Sequence, residues 1–180
     1  MAAFGQRQRP WVTLAAAAGA VLPDLPSIGM VLWALAVQGR DAEEVFQVAY
    51  FSAGWQAWLA PWHSAPLWGL ALLAGFALRS APAKAFAAAG LLHLLFDFPV
   101  HAGDAHRHLW PLSDWRLESP VSYWDLDHYA AFVAPLEVLA GAFLIALLWR
   151  WSRKRAWRAG LVVLALLYLA QGAALALWAA

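Results

Sequence analysis

The sequence predicts an all-α, polytopic membrane bundle with one long loop, and three observations carry that prediction. First, 63% of the 180 residues are hydrophobic and only 13% are charged, against nearer half and a quarter in soluble domains. Second, the apolar residues fall into long runs punctuated by proline, glycine and short polar stretches. Third, the basic residues are unevenly distributed along the chain. This composition excludes a disordered chain and a nucleic-acid binder, and argues against a soluble enzyme. The absence of cysteine excludes disulfides, thiolate metal sites and a cysteine nucleophile. A length of 180 residues fits one domain covering the whole chain, 1–180.

Seven apolar segments are read in order, at 10–22, 27–38, 45–60, 65–79, 84–98, 129–149 and 158–178. The last two are long enough to span, since about 20 helical residues cover a bilayer core of about 30 Å. The middle three are shorter and need interfacial tryptophans or local thinning. The first two are shorter still and are separated by Pro23-Asp24-Leu25-Pro26, which breaks the helix. They form two short spans or a re-entrant pair, so five to seven crossing or re-entrant helices are expected. Arg7 and Arg9 before Trp11–Leu22 have the layout of a secretory signal; the segment is expected to stay uncleaved.

With a cytoplasmic N-terminus, ten of the twelve basic residues fall inside, and only Arg107 and Arg116 fall outside. The same alternation gathers all six histidines and Asp24, Asp97, Asp104, Asp114, Glu118, Asp125 and Asp127 at or toward the outer, periplasmic face of an inner membrane. The long outer loop, about 99–128, accounts for several of them as ordinary solvated residues. It does not account for His93 and Asp97 within an apolar helix, or for Asp24 between two apolar segments.

His93-Leu-Leu-Phe-Asp97 places an imidazole and a carboxylate on one helix face, where a single metal ion bridges an i, i+4 pair. A plain His–Asp bond stapling helices is the competing reading. His101 extends that face, although Pro99 ends or kinks the helix. Asp24, held between prolines, is a carboxylate ligand or the N-cap of the next helix. In Trp62-His63-Ser64, His63 is a further ligand; Ser64 supports it, touches substrate or caps the following helix. His106 and His108 point the same way in an extended loop, a common metal half-site, with a solvated loop as the alternative. Arg107 between them suits an anionic group such as phosphate. Glu137, inside an apolar helix, is a ligand, a general base or a structural partner. Asp114, Asp125, Asp127 and His128 are minor candidates in the loop that covers the site.

Pro-Asp near the N-terminus, a His-Ser pair, a His-x-x-x-Asp closing a helix and a Trp-Pro soon after, all among membrane helices, resemble the YdjM-like family of predicted inner-membrane metal-dependent hydrolases. The resemblance spans roughly residues 20–112. It implies a metal site of Asp24, His63, His93 and Asp97. The chain departs from the family pattern in three places. No histidine precedes the Pro-Asp within Gln6–Gly19, Pro26 stands where a second carboxylate belongs, and a His-Arg before the His-Ser pair is missing. These departures weigh against a two-metal reading; either His101, His106 or His108 replaces a lost ligand, or the chain is a divergent, inactive relative.

The favoured expectation is a hydrolase holding a divalent cation, zinc first, and acting at the outer face on a lipid-linked or amphipathic ester or phosphoester. Glu137 or a loop aspartate such as Asp104 takes the proton, with Ser64 at the site. Membrane lipid is the expected partner, and nucleic acid is not. A metal or small-solute transporter, or an accessory membrane protein, uses the same cluster differently. A structural subunit uses it only to pack helices.

Overall fold

The computed structural model describes residues 10–178, with side chains to 169; Arg7 and Arg9 lie outside the described residues. Among these residues the chain is all-helical, with eight α-helices and no strand. It divides into two compact units, one of residues up to Pro99 together with Gly103–Glu118, the other of Val100–Ala102 and the chain from Ser119 onward.

The first unit opens with α1 (Pro10–Val21) and α2 (Leu25–Ala36), bent by 58° at the break between them. The break follows from Pro23, which lacks the N–H that would continue α1 and whose ring is buried, while Pro26 sits in the first turn of α2 where no intrahelical donor is needed. The turn is closed by Ser27 Oγ donating to the Asp24 carbonyl at 2.7 Å.

The expected segment 45–60 is not one helix. A three-residue turn α3 (Ala42–Glu44), capped by Asp41, runs into a π-turn over Val45–Ala49, and the chain then restarts as α4 (Ala53–Leu59). The reason is local. Ser52 adopts an extended backbone and its hydroxyl accepts from Trp55 N–H, so a second helix start is built into an apolar run. Then come α5 (Ala65–Ala77), capped by Ser64, and α6 (Ala81–Asp97), capped by Ser80. Helix α6 ends just before Pro99, as the sequence led one to expect.

Helix α6 is the spine of this unit, packed by α1 on one side and α5 on the other. Two glycines permit these contacts. A Cβ on Gly19 of α1 would stand 2.0 Å from the Phe86 carbonyl oxygen of α6, so the backbones touch. A Cβ on Gly90 would enter the Trp68 ring, which packs with Ala87 and Leu94 as the buried core. Trp68 also donates from its indole nitrogen to the Trp62 carbonyl at 2.7 Å, setting the chain just before His63.

The loop after α6 returns to α4 and α5 and is tied there by backbone groups. Ala65 N–H donates to the His108 carbonyl at 2.8 Å, Arg107 Nη2 donates to the Gln56 carbonyl at 2.7 Å, and Ser64 Oγ donates to the Trp110 carbonyl.

In the second unit a short 3₁₀ turn (Leu126–His128), braced by Asp125 accepting from His128 Nδ1 at 2.8 Å, leads into α7 (Ala130–Trp151). Helix α8 (Arg155–Trp178) packs against α7, with the Tyr168 ring lying over Gly141. Helix α7 has 22 residues and a mean hydropathy of 2.3 over its most apolar stretch. At about 1.5 Å per residue it covers the hydrocarbon core of a bilayer. Among the described residues it is the one helix that meets this test by itself; α1 and α2 meet it only together, and α5, with 13 residues, is a shorter apolar helix.

Candidate metal centre

His63 lies at the bottom of the site. It follows the turn that ends α4 and precedes the Ser64 cap of α5, so both helix ends hold its backbone. The imidazole is wholly buried, and neither ring nitrogen has a hydrogen-bond partner. Leaving a buried polar group unpaired costs about 1–3 kcal/mol, so such a ring calls for a ligand.

Two neighbours converge on it. Asp24 Oδ1 stands 3.6 Å from His63 Nε2 and 3.4 Å from His93 Nε2. Both separations exceed the 2.7–3.2 Å of an N–H···O bond. They match the edge of a tetrahedron: two ligands about 2.0–2.1 Å from one ion stand about 3.3–3.4 Å apart. Asp24 occupies the position before α2, but its side chain makes no capping bond. The geometry therefore favours the ligand reading of Asp24 over the cap reading.

The tautomer of His93 is set from behind. Its Nδ1 lies 2.9 Å from the Ala20 carbonyl, which only accepts, so Nδ1 carries the proton and Nε2 turns its lone pair toward Asp24. Sequence reasoning had no means of finding Ala20, because a main-chain carbonyl leaves no mark in side-chain patterns. The Asp24 side chain is 48% exposed while His63 is at 1%, so this group opens toward its carboxylate.

A second group is built from His63, Asp97 and His106, whose ligand atoms lie within 4.8 Å of one another. The His63 and His106 rings stack at 3.7 Å with an angle of 11°. His108 Nε2 faces Asp97 Oδ2 at 3.7 Å, and His108 Nδ1 donates to the His106 carbonyl at 3.1 Å. His93 thus falls in the first group and Asp97 in the second, with Asp97 turned to the loop histidines. The His93–Asp97 staple is not formed.

The other predicted residues separate as follows. Asp104 is buried in the same unit and stands outside both groups. Ser64 spends its hydroxyl on α5, accepting from Leu67 N–H at 3.2 Å, and on the Trp110 carbonyl; its place is that of a cap and loop tie. Arg107 is engaged by Asp114 at 3.0 Å and by Gln56, so its fork anchors the loop rather than standing open to an anion. His101 belongs to the second unit, where its ring meets Tyr123 edge-on at 5.3 Å, and it joins neither ligand group. Glu137 also belongs to the second unit, on an exposed position of α7. Asp125 and His128 pair with each other there. Tyr50, which the sequence reading passed over, lies within electrostatic reach of Asp24, Asp97 and Asp104; an aromatic in an apolar run carries no signal that would have singled it out.

Compared with family models, with characterised proteins and with solved structures, the chain matches none. The case for the site therefore rests on its own donors. Two imidazoles with free nitrogens and one carboxylate, at ligand-to-ligand spacing, suit a borderline divalent cation.

Proposed function

We propose that this chain is a membrane-embedded, metal-dependent hydrolase that acts at the outer face of a bacterial inner membrane on an ester or phosphoester of a lipid-linked or amphipathic molecule. The observation that carries this reading is His63, fully buried with both nitrogens unpartnered and 3.6 Å from Asp24. Asp24, His63 and His93 would hold the cation, zinc being the best fit to two imidazoles and a carboxylate with a position left open. When bound, such an ion polarises an ester or phosphoryl oxygen and acidifies water. The Ala20 carbonyl keeps His93 in the ligating tautomer. The exposed side of Asp24 is the way in for substrate, and Asp104, a buried carboxylate of this unit, would move a proton.

The resemblance to the YdjM-like family supports the same assignment and, with the ten-of-twelve distribution of basic charge, the topology: N-terminus cytoplasmic, five to seven crossing or re-entrant helices, site outward. The apolar surface supports a membrane setting. Phe132, Leu136, Leu139 and Phe143 of α7 are each at least 65% exposed. An amphipathic substrate is supported by an open groove of about 630 Å³ along α5, lined by Leu67, Leu70, Leu73, Phe76, Pro111 and Leu112. Its two walls begin within a few residues of His63 and His108.

The test is elemental analysis of the detergent-solubilised protein beside His63→Ala and His93→Ala. The reading expects about one equivalent or more of a divalent metal, lost in both folded variants, and turnover of phosphoester or ester lipids only by the loaded protein. No metal after reconstitution with zinc, manganese and iron overturns it. A transport reading is favoured by one feature, the 58° break that presents Asp24 between two short helices. Metal flux into proteoliposomes without any hydrolysis would select it.

A further inference from the structure

We propose that the loop after α6 supplies a second cation position, built on Asp97, His106 and His108 and set beside the first at their common neighbour His63. This rests on the metal reading above and extends it to His106 and His108, which the resemblance does not assign.

Three observations point the same way. The first is His108. Its ring is 7% exposed, its Nε2 has no hydrogen-bond partner, and that nitrogen faces Asp97 Oδ2 at 3.7 Å. The distance is too long for a hydrogen bond and close to a ligand-to-ligand edge. Its Nδ1 proton is used on the His106 carbonyl, so Nε2 carries the lone pair. The second is the grouping of His63, Asp97 and His106 within 4.8 Å, with the His63 and His106 rings stacked in parallel. The stacking holds the His106 ring against His63 at 3.7 Å. The third is the helix. Asp97 lies one turn beyond His93, so the carboxylates Asp24 and Asp97 serve different groups with His63 in both.

The loop is held for this task. Ala65 N–H on the His108 carbonyl holds the main chain at the second histidine, and the Arg107 side chain between the two histidines is anchored on the Gln56 carbonyl and Asp114. Ligands on a tied loop lose little freedom on binding.

The experiment is a titration of the chelator-stripped, full-length protein in detergent with Co²⁺ alone. It is read by visible absorption and by elemental analysis, with circular dichroism and gel-filtration elution as folding controls. The wild-type chain is expected to saturate at two equivalents. His108→Gln and His106→Gln should retain one, and Asp24→Asn should retain the other. A wild-type chain that saturates at one equivalent overturns the second position whatever the variants do, and leaves the first intact if Asp24→Asn abolishes that equivalent. His108→Gln and His106→Gln both binding two also overturns it. A wild-type chain that binds no cobalt overturns this inference and the metal reading together.

Discussion

Replacing His63 by leucine should change the sign of its effect with metal. The ring is wholly buried, and both its nitrogens lack hydrogen-bond partners. A buried polar ring left without compensation costs about 1–3 kcal/mol. Leucine has similar volume and no polar atoms, and the stacking on His106 that it gives up is worth about 1 kcal/mol. In chelator the variant should therefore be the more stable protein by up to about 2 kcal/mol, or up to about 5 °C in melting temperature for a chain of this size. Excess zinc reverses the order. At a hundredfold excess over Kd a bound ion adds about 2.7 kcal/mol to the wild type, and the variant, missing a central ligand, gains far less. The assay is the melting of intrinsic tryptophan fluorescence in detergent, with and without chelator; the chain carries 13 tryptophans. A variant less stable than wild type under both conditions would refute the reasoning. It would mean that His63 is satisfied inside the protein and serves as a structural ring.

Four more expectations follow from the same geometry. Asp24→Asn keeps the shape of the turn and removes the charge between His63 and His93; zinc affinity measured by competition with a chromophoric chelator should fall by more than the roughly 10–100-fold typical of losing an indirect support, with helix content unchanged. Gly19→Ala drives a methyl into the Phe86 carbonyl and should cost at least about 1–3 kcal/mol, whereas Gly29→Ala meets nothing within 4 Å and should gain up to about 1 kcal/mol; equal melting temperatures for the two would contradict the α1–α6 contact. Because imidazoles ligate only when neutral, the apparent zinc affinity should fall steadily on acidification and protons should be released on binding; a calorimetric signal insensitive to buffer ionisation enthalpy would speak against histidine ligands. Since the chain lacks cysteine, Arg40→Cys and Arg116→Cys provide single labelling sites. An impermeant thiol reagent added to intact cells should reach position 116 and spare position 40, and the reverse pattern would invert the topology.

Much of the local architecture is legible along the chain because its causes are local. Pro23 and Pro99 mark the ends of α1 and α6, and Ser64 and Ser80 cap the starts of α5 and α6. The bounds of α1, α2, α5, α6 and α7 therefore fall close to the apolar segments. The restart at Ser52 is also local, but it is hidden in an apolar run whose average hydrophobicity outweighs one hydroxyl. The ligand candidates Asp24, His93 and Asp97 stand out for a related reason, whereas His106 and His108 sit in a polar loop and show only as a His-x-His spacing. Polar groups inside apolar segments are expensive unless something compensates for them.

What the sequence determined by itself, then, is which side chains need a partner. Which partner each one finds was decided by tertiary structure. Asp24 and His93 are far apart in the chain and meet because Gly19 lets α1 press its backbone onto α6. His93 and Asp97 look like a pair in sequence and part company because the fold brings Asp24 to one and the loop histidines to the other. His108 and Arg107 are neighbours in the loop, yet one turns to Asp97 and the other to Gln56 and Asp114, since backbone bonds to α4 and α5 fix the loop's rotation. Short-range propensities act along the chain and can be read there. The distances that make a metal centre are set by how close helices approach, and that depends on packing contacts across the whole unit.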